Sequence, residues 1–474
     1  MGTCEEARSF CICAEIFLAL SPLGERVARD PDVLHRDAGR AFARRRVMEV
    51  QGKQPATARR RVRGSRVIRA SMVVTYAQAI SVVQERIGQA NPRPPLETVS
   101  LEEVRGRVLA EDVVADRDLP PFHRAIRDGY ALRAADLSAL PAVFRCVEEV
   151  PAGQHFDGKV DPGQCVSIMT GAPLPVGADA VVMVEHTRSL GEHIEIQRSV
   201  QAWENVVLQG SEASMGACVL ARGRRVRAAE MGLLAAVGKV RVAVYRQPMV
   251  AILPTGDELV AVEQRPQWFQ IRNSNAVTLS AQVTSAGGVS VGLGIVPDRE
   301  DALREMVERG LDSDLLLLSG GVSMGKFDLV EKVLAELGAE FFFQGAAIRP
   351  GKPLVFGRVR DRFFFGLPGN PVSTFVTFEL FVRPAIAMLG GTGFEPPVLL
   401  RARLAKPCRP RTGLTMFMPA RVCVQNRDPV VELVNWQGSG DLVGSAAANC
   451  FLVIHPDQAE LAAGDWVDVM PREQ

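Results

Sequence analysis

The sequence predicts a multidomain α/β plus β protein. It has a central three-layer α/β domain on a mostly parallel sheet, a β-rich insertion domain, a small C-terminal β-barrel, and an elongated helical/β linker domain. Three observations predict this. From Met249 the chain alternates strand-like and helix-like runs: VAILP, VTLSAQVTSAG, VSVGLGIV, DALREMVERG, DLLLLSGG, DLVEKVLAELG and RFFFGLPG. Strands that are apolar almost throughout imply burial on both faces, as in a parallel sheet covered by helices. Residues 116–211 instead carry short β-like runs such as VSIM and AVVMVEH, separated by Gly, Pro and Asp, the mark of a small β-rich unit. Residues 396–474 return to short alternating strands ending in WVDVM, which suggests a small barrel.

A chain of 474 residues that is 47% hydrophobic exceeds one compact core and divides into several domains. Residues 1–71 hold 15 Lys or Arg against 8 Asp or Glu, so the rest of a chain with formal net charge +1 is mildly acidic. No protein-wide basic field points to nucleic acid. The apolar run over residues 10–23 is short for a membrane span and follows Glu5 and Glu6, where a signal peptide carries positive charge. Residues 1–71 therefore read as a basic extension: a disordered arm, a targeting segment, or a stretch outside the native product that starts at Met72. Nine cysteines without a C-x-x-C pair fit reduced thiols and a cytoplasmic location, with no membrane.

Next, Thr75 is an N-cap candidate for a helix with Ala79, Ile80, Val83 and Ile87 on one face. Ser100 and Glu103 form a capping-box pattern that predicts a second helix through Val108. The resulting boundaries are 72–115 plus 212–248 for a discontinuous linker/dimerisation domain, 116–211 for the insertion, 249–395 for the α/β domain and 396–474 for the barrel.

In open α/β sheets ligands sit beyond the carboxyl ends of the strands. Four turns follow such ends: Thr255-Gly256-Asp257-Glu258, Pro297-Asp298-Arg299-Glu300, Ser319-Gly320-Gly321-Val322-Ser323, and Gly366-Leu367-Pro368-Gly369-Asn370-Pro371. The Ser319–Ser323 turn exposes successive amides near a helix start, a geometry suited to phosphate or another oxyanion; a tight turn needing only positive φ is the structural alternative. Gly320 to Lys326 also spells G-x-x-x-x-G-K, but Phe327 stands where a P-loop needs a hydroxyl for Mg²⁺. No G-x-G-x-x-G opens the domain, so a dinucleotide has no support. Asp257, Glu258, Asp298 and Asp328 are hard oxygen donors of the kind that suit Mg²⁺ bridging phosphates, although each alone is more often a cap or a solvated acid. Arg349 and Lys352 flank Pro350-Gly351; a guanidinium fork beside an ammonium suits a dianionic tetrahedral oxyanion, and two solvated surface cations are the alternative. Ser373 is an N-cap or a further oxyanion donor.

Taken together, DRDLPPFHRAIRDGYALRAADL, IMTGAPLPVGADAVVMVE, PTGDEL, SGGVSMGKFD, AIRPGKP and GLPGNPVSTFVTFE resemble the molybdopterin molybdenumtransferase (MoeA) family, which includes the E domain of gephyrin. The resemblance runs from about Met72 to the C-terminus. It implies a homodimer with an active site between the α/β domain of one subunit and the β-rich insertion of the other. It also implies a reaction in which adenylylated molybdopterin and molybdate, with Mg²⁺, give the molybdenum-loaded dithiolene and AMP. Carried over by motif, the functional positions are Asp128, Thr170, Glu212, Glu258, Asp298, Asp328, Pro368 and Pro371, with Asp298, Asp328 and Glu258 as metal ligands. Arg349, Lys352 and Ser373 are the molybdate candidates, and contact with the molybdopterin adenylyltransferase is a further expectation.

Two positions depart from the family pattern. Arg127 lies where many members have Met, within Ala125-Ile126-Arg127-Asp128, and Gly345 stands where many carry a basic residue, which leaves Lys326 as one substitute. The alternatives are the adenylyltransferase of the preceding step, against which the DGYA and TGAP motifs and the barrel argue, and a non-catalytic scaffold of the same fold. Tungstate and molybdate, tetrahedral dianions of similar size, are not separable by sequence. A chain beginning at Met72 is expected to keep fold and activity, as judged by circular dichroism and turnover; an unfolded or inactive truncation would contradict this.

Overall fold

The computed structural model describes residues 73–90, 94–321, 329–410 and 413–472. The extension over 1–71 and the alternative start at Met72 lie outside the described residues. All that follows concerns the unit that spans residues 69–474.

The central sheet has six strands in the order Val289–Gly292, Met249–Pro254, Leu315–Ser319, Arg362–Leu367, Val355–Val359, Glu340–Phe343. The first four are mutually parallel, and Val355–Val359 runs against both of its neighbours. Alternate residues of the four inner strands enter two different cores. Val250, Ile252, Leu315, Leu317, Phe356 and Phe365 belong to one, Ala251, Leu253, Leu316, Leu318 and Phe364 to the other. Burial on both faces is why these strands carry no polar alternation.

The first core is covered by helix Ser274–Ser285, by the helical run Pro371–Leu389, and by helix Tyr76–Ala90; the second by Glu300–Gly310 and Leu329–Glu336. Pro371–Leu389 contains a π-helical turn at Phe378–Val382 and is long and apolar enough to cross a membrane by composition alone. It is 72% buried inside the protein, as a core helix is.

Helix Tyr76–Ala90 starts as its sequence predicts, with the Thr75 hydroxyl accepting from the Gln78 amide at 3.2 Å. Its buried residues Ala79, Val83 and Ile87 join the α/β core, although the sequence groups this helix with the linker segments. Position along the chain does not say which hydrophobic partner an apolar stripe will meet. The second helix expected after Ser100 is absent. Glu103 does accept from the Ser100 amide and hydroxyl at 3.2 and 2.9 Å, but the pair closes a turn. Val104 is already buried, and Gly106 at φ +80° ends any helical path.

Strands Leu96–Ser100 and Arg241–Tyr245 pair antiparallel, as do Val113–Val114 and Cys218–Leu220. Val104, Leu109, Val113, Val226, Leu234 and Val242 form one core from these sequence-distant pieces. Between them lies a six-stranded sheet ordered Ala180–Met183, Gly129–Leu132, Gln164–Ile168, Ala142–Val150, His193–Ile196, Thr187–Leu190. At the C-terminal end, Thr415–Gln425, Asp428–Leu433, Leu400–Leu404, Trp466–Pro471 and Cys450–Ile454 pair in a ring that closes back on Thr415–Gln425. This closed barrel is the one the alternating strands predict. Ile348–Arg349 pairs with Thr415–Met416 at its edge, so the barrel meets the α/β domain beside the Arg349 turn.

Phe356 packs nearly parallel to Phe365 and Phe363, at ring separations of 4.6 and 5.8 Å, and is fully buried. Phe356→Ala is expected to lower unfolding free energy by about 3–5 kcal/mol, measured by urea denaturation. A loss within experimental error would show that the aromatic stack contributes little.

Candidate functional site

The register aligns Pro254 with Ser319 and Ser319 with Leu367, so the turns after three neighbouring strands leave one sheet edge together. The turn that holds Asp298 joins them. The buried Thr255 hydroxyl donates to Asp298 Oδ1 at 2.7 Å, and the Asp298 amide donates to Asp257 Oδ1 at 3.1 Å. Asp298 thus has one oxygen fixed from below, while the residue as a whole stays exposed.

Gly320 and Gly321 have φ of +95° and +64°. A Cβ on Gly320 would lie 2.4 Å from the Thr255 carbonyl oxygen, and one on Gly321 2.8 Å from Val330. Both glycines are therefore required by close packing as well as by backbone conformation. Ser319 is buried, and its hydroxyl accepts from Asn275 Nδ2 at 3.0 Å; the same amide nitrogen donates to the Gly369 carbonyl at 2.8 Å. Glu258 is exposed, with its carboxylate beside Gly256 and its carbonyl accepting from the Ile271 amide at 2.9 Å. Ser323, Lys326 and Asp328 lie outside the described residues.

In the Gly366–Pro371 turn, Pro371 opens helix Pro371–Thr377 after the N-cap residue Asn370. The Pro368 carbonyl accepts from the Thr374 hydroxyl. Asn370 Nδ2 donates to the Ser439 hydroxyl at 2.8 Å, and the Val372 amide to the Ser439 carbonyl at 3.0 Å. Ser373 is not the N-cap: Asn370 takes that position, and Ser373 lies within the first turn, 4% exposed.

Gly351 (φ +106°) packs on this helix, where a Cβ would meet Thr377 at 2.5 Å. Arg349 and Lys352 on either side are exposed, and neither side chain has an ion-pair partner among the described residues. Gly345 is buried against Val73, 3.0 Å from where its Cβ would lie. A basic side chain there would have to displace that contact.

The insertion carries a second group. The Thr170 amide and hydroxyl donate to Asp128 Oδ1 at 2.7 and 2.8 Å. Those two bonds, the amide first, hold the Asp128 carboxyl below its ordinary value. Arg124 donates to Glu212 at 3.0 Å; both are substantially exposed, and such pairs contribute about 0–1 kcal/mol to stability. Arg127 is exposed beside them. Trp203 borders this group at φ 68°, a left-handed conformation that costs a bulky residue roughly 1–2 kcal/mol. No hydrogen bond or ion pair among the described residues links this group to the sheet-edge turns.

Sequence reasoning did not single out Thr255, Asn275 or Trp203 as site residues. Thr255 carried a signal in its motif. Asn275 follows Asn273, whose cap on the Ala276 amide at 3.1 Å accounts for a polar helix start without a bridging role. Nothing local marks Trp203.

No group of three or more His, Cys, Asp or Glu suited to a metal ion occurs among the described residues. Mg²⁺ commonly takes only one or two carboxylates, completing its shell with phosphates and water, so Asp298 with a second acid of the same rim fits it. Thr170→Val should raise the Asp128 pKa part of the way to the ordinary carboxylate value, because the Thr170 amide bond remains. Carboxyl NMR titration reads this: the wild-type carboxylate stays charged to lower pH than the variant's, and an unchanged titration would contradict the assignment.

Comparison with known proteins accords with this architecture. Residues 74–238 match the family model described as MoeA N-terminal region (domain I and II), 251–388 that described as probable molybdopterin binding domain, and 401–471 that described as MoeA C-terminal region (domain IV). A molybdopterin molybdenumtransferase of Staphylococcus aureus (strain MSSA476) is 32% identical over 85% of this chain and 98% of the relative. That of Bacillus subtilis (strain 168) is 34% identical over 79% and 89%. A crystal structure of the molybdopterin biosynthesis MoeA protein from Pyrococcus horikoshii OT3 superposes with a TM-score of 0.72 at 30% identity, covering 84% of this chain and all of that one. With three family models in order along the described fold and relatives matched over nearly their whole length, the chain belongs to the MoeA family of molybdenum cofactor biosynthesis.

Proposed function

We propose that this chain is a molybdopterin molybdenumtransferase, which takes adenylylated molybdopterin and molybdate, inserts molybdenum at the dithiolene and releases AMP. The observation that carries this reading is the sheet edge where Gly320 and Gly321 meet Thr255 and Asp298. The positive-φ glycine turn, whose Gly320 amide donates to the Leu367 carbonyl while that of Gly321 has no bond among the described residues, suits the pyrophosphate. Arg349 and Lys352, in the turn that packs on helix Pro371–Thr377 and without ion-pair partners among the described residues, are suited to hold molybdate. Ser373, being buried, would act only through small movements of its helix.

Mg²⁺, held by Asp298 with Glu258 or Asp328, would supply neutralisation of phosphate charge. The chain's own groups do the rest. Thr255 fixes the Asp298 carboxylate, Ser319, Pro368 and Pro371 hold the facing turns in place, and Arg349 and Lys352 position the oxyanion against the pyrophosphate. No side-chain nucleophile is needed. Among the described residues Asp128, Thr170 and Glu212 share no hydrogen bond or ion pair with this edge, an arrangement in keeping with a homodimer in which the insertion of one subunit completes the site of the other. A cytoplasmic location, supported by free thiols at Cys146, Cys165, Cys218, Cys408, Cys423 and Cys450, and transfer of substrate from the molybdopterin adenylyltransferase complete the proposal.

Asp298→Asn is expected to fold and dimerise normally but to release AMP at least about a hundredfold more slowly, followed with adenylylated molybdopterin, molybdate and Mg²⁺. Normal turnover would remove Asp298 from the mechanism. Wild-type protein that yields neither AMP nor molybdenum-loaded cofactor would favour a scaffold.

A further inference from the structure

We propose that Trp203, with His123 beside it, is a stacking platform for a planar nitrogen heterocycle, the pterin or the adenine of the substrate. The inference rests on the function proposed above for the ligand's identity.

Trp203 is doubly unfavourable where it stands. Its backbone is left-handed at φ 68°, a conformation glycine adopts freely and a bulky residue does not. Its side chain is 44% exposed and belongs to neither core of the insertion. Strain of this kind persists where surrounding structure over-determines it, commonly at binding sites. Here the surroundings do so: the Trp203 amide donates to the Asp179 carbonyl at 2.5 Å, and the Ile126 amide to the Asn205 carbonyl at 3.1 Å. The indole is thereby presented to His123, with ring centres 5.0 Å apart and planes tilted by 48°.

The platform is built into the rim already described. His123 accepts from the Gln209 amide through Nδ1 at 3.0 Å, and its carbonyl accepts from the Leu174 amide at 2.8 Å. The segment that leads to Arg124 and Asp128 is thus stapled between the Thr170 turn and the Trp203 turn. Phe122, Ile126, Met169 and Leu208 leave further apolar surface exposed on the same segments, at 37%, 40%, 43% and 40%. An exposed indole next to an imidazole offers a π face with a polar group at its edge, the combination that holds nucleobase-like rings.

The test compares full-length wild type with Trp203→Gly and Trp203→Phe. The glycine variant relieves the left-handed strain, so its thermal stability should not fall. Calorimetry with AMP and, separately, with 6-hydroxymethylpterin identifies the ring: the one that stacks should bind about tenfold or more weakly to Trp203→Gly and nearly normally to Trp203→Phe. It should also quench wild-type tryptophan fluorescence. With the complete substrate, KM should rise more than kcat falls. Equal affinities of wild type and Trp203→Gly for both compounds, binding of neither compound to wild type, or an effect confined to dimer dissociation in sedimentation would each overturn the platform. Normal wild-type turnover alongside such a result leaves the proposed function standing, whereas wild-type failure to release AMP counts against that function itself.

Discussion

Everything at the sheet edge depends on how closely the Gly320 backbone approaches the Thr255 carbonyl, where a side chain's first carbon would sit 2.4 Å from the oxygen. Without a side chain at that point, two neighbouring parallel strands stay in register to their last residues and still turn outward. Because they do, Thr255 lies buried directly beneath Asp298 and donates to it. The Ser319 hydroxyl faces Asn275, and through it the Gly369 turn. The exclusion is steric, but what it organises is electrostatic: a glycine turn and a carboxylate oxygen fixed by a buried hydroxyl share a rim supported from behind by two aliphatic and aromatic cores.

The insertion works on a different physical basis. Its acid is stabilised as the anion by two donors from one threonine, and its arginine is neutralised by a local glutamate. Residues 116–211 hold 8 Lys or Arg against 13 Asp or Glu, and they add several exposed apolar side chains. The two groups thus present different chemistry, one a fixed carboxylate beside a glycine turn, the other exposed apolar side chains beside an acid and an ion pair. This division follows from the two groups having been assembled on separate sheets.

Much of the fold was legible because burial writes itself into composition. Strands such as Leu315–Ser319, with four leucines before the closing serine, are buried at every position since both faces are covered, and the stripe Ala79, Val83, Ile87 announces a helix wherever it packs. What it packs against was not legible, since Tyr76–Ala90 found its partner on the α/β core through contacts distant in sequence. Ser100 and Glu103 show the complementary limit: the local hydrogen bonds form as the pattern predicts, but the buried Val104 and left-handed Gly106 decide that no helix follows. In the site, glycines and acids stood out by type and spacing. Thr255 and Asn275 did not, because their importance lies in which groups they touch 43 to 94 positions away along the chain. Trp203 was invisible for a related reason, as a left-handed tryptophan has no sequence signature.

Asn275 deserves a mechanical reading. One side-chain nitrogen donates both to the hydroxyl that ends one strand and to the carbonyl of the turn after its neighbour, and that second turn is itself bonded to Ser439 of the barrel. Two turns clasped by one amide cannot be displaced independently: moving either stretches the bond to the other. A displacement of the Ser319 end would therefore load the Gly369 turn and, through Asn370, its bond to Ser439 of the barrel. The clasp makes three chemically distinct surfaces respond to one load.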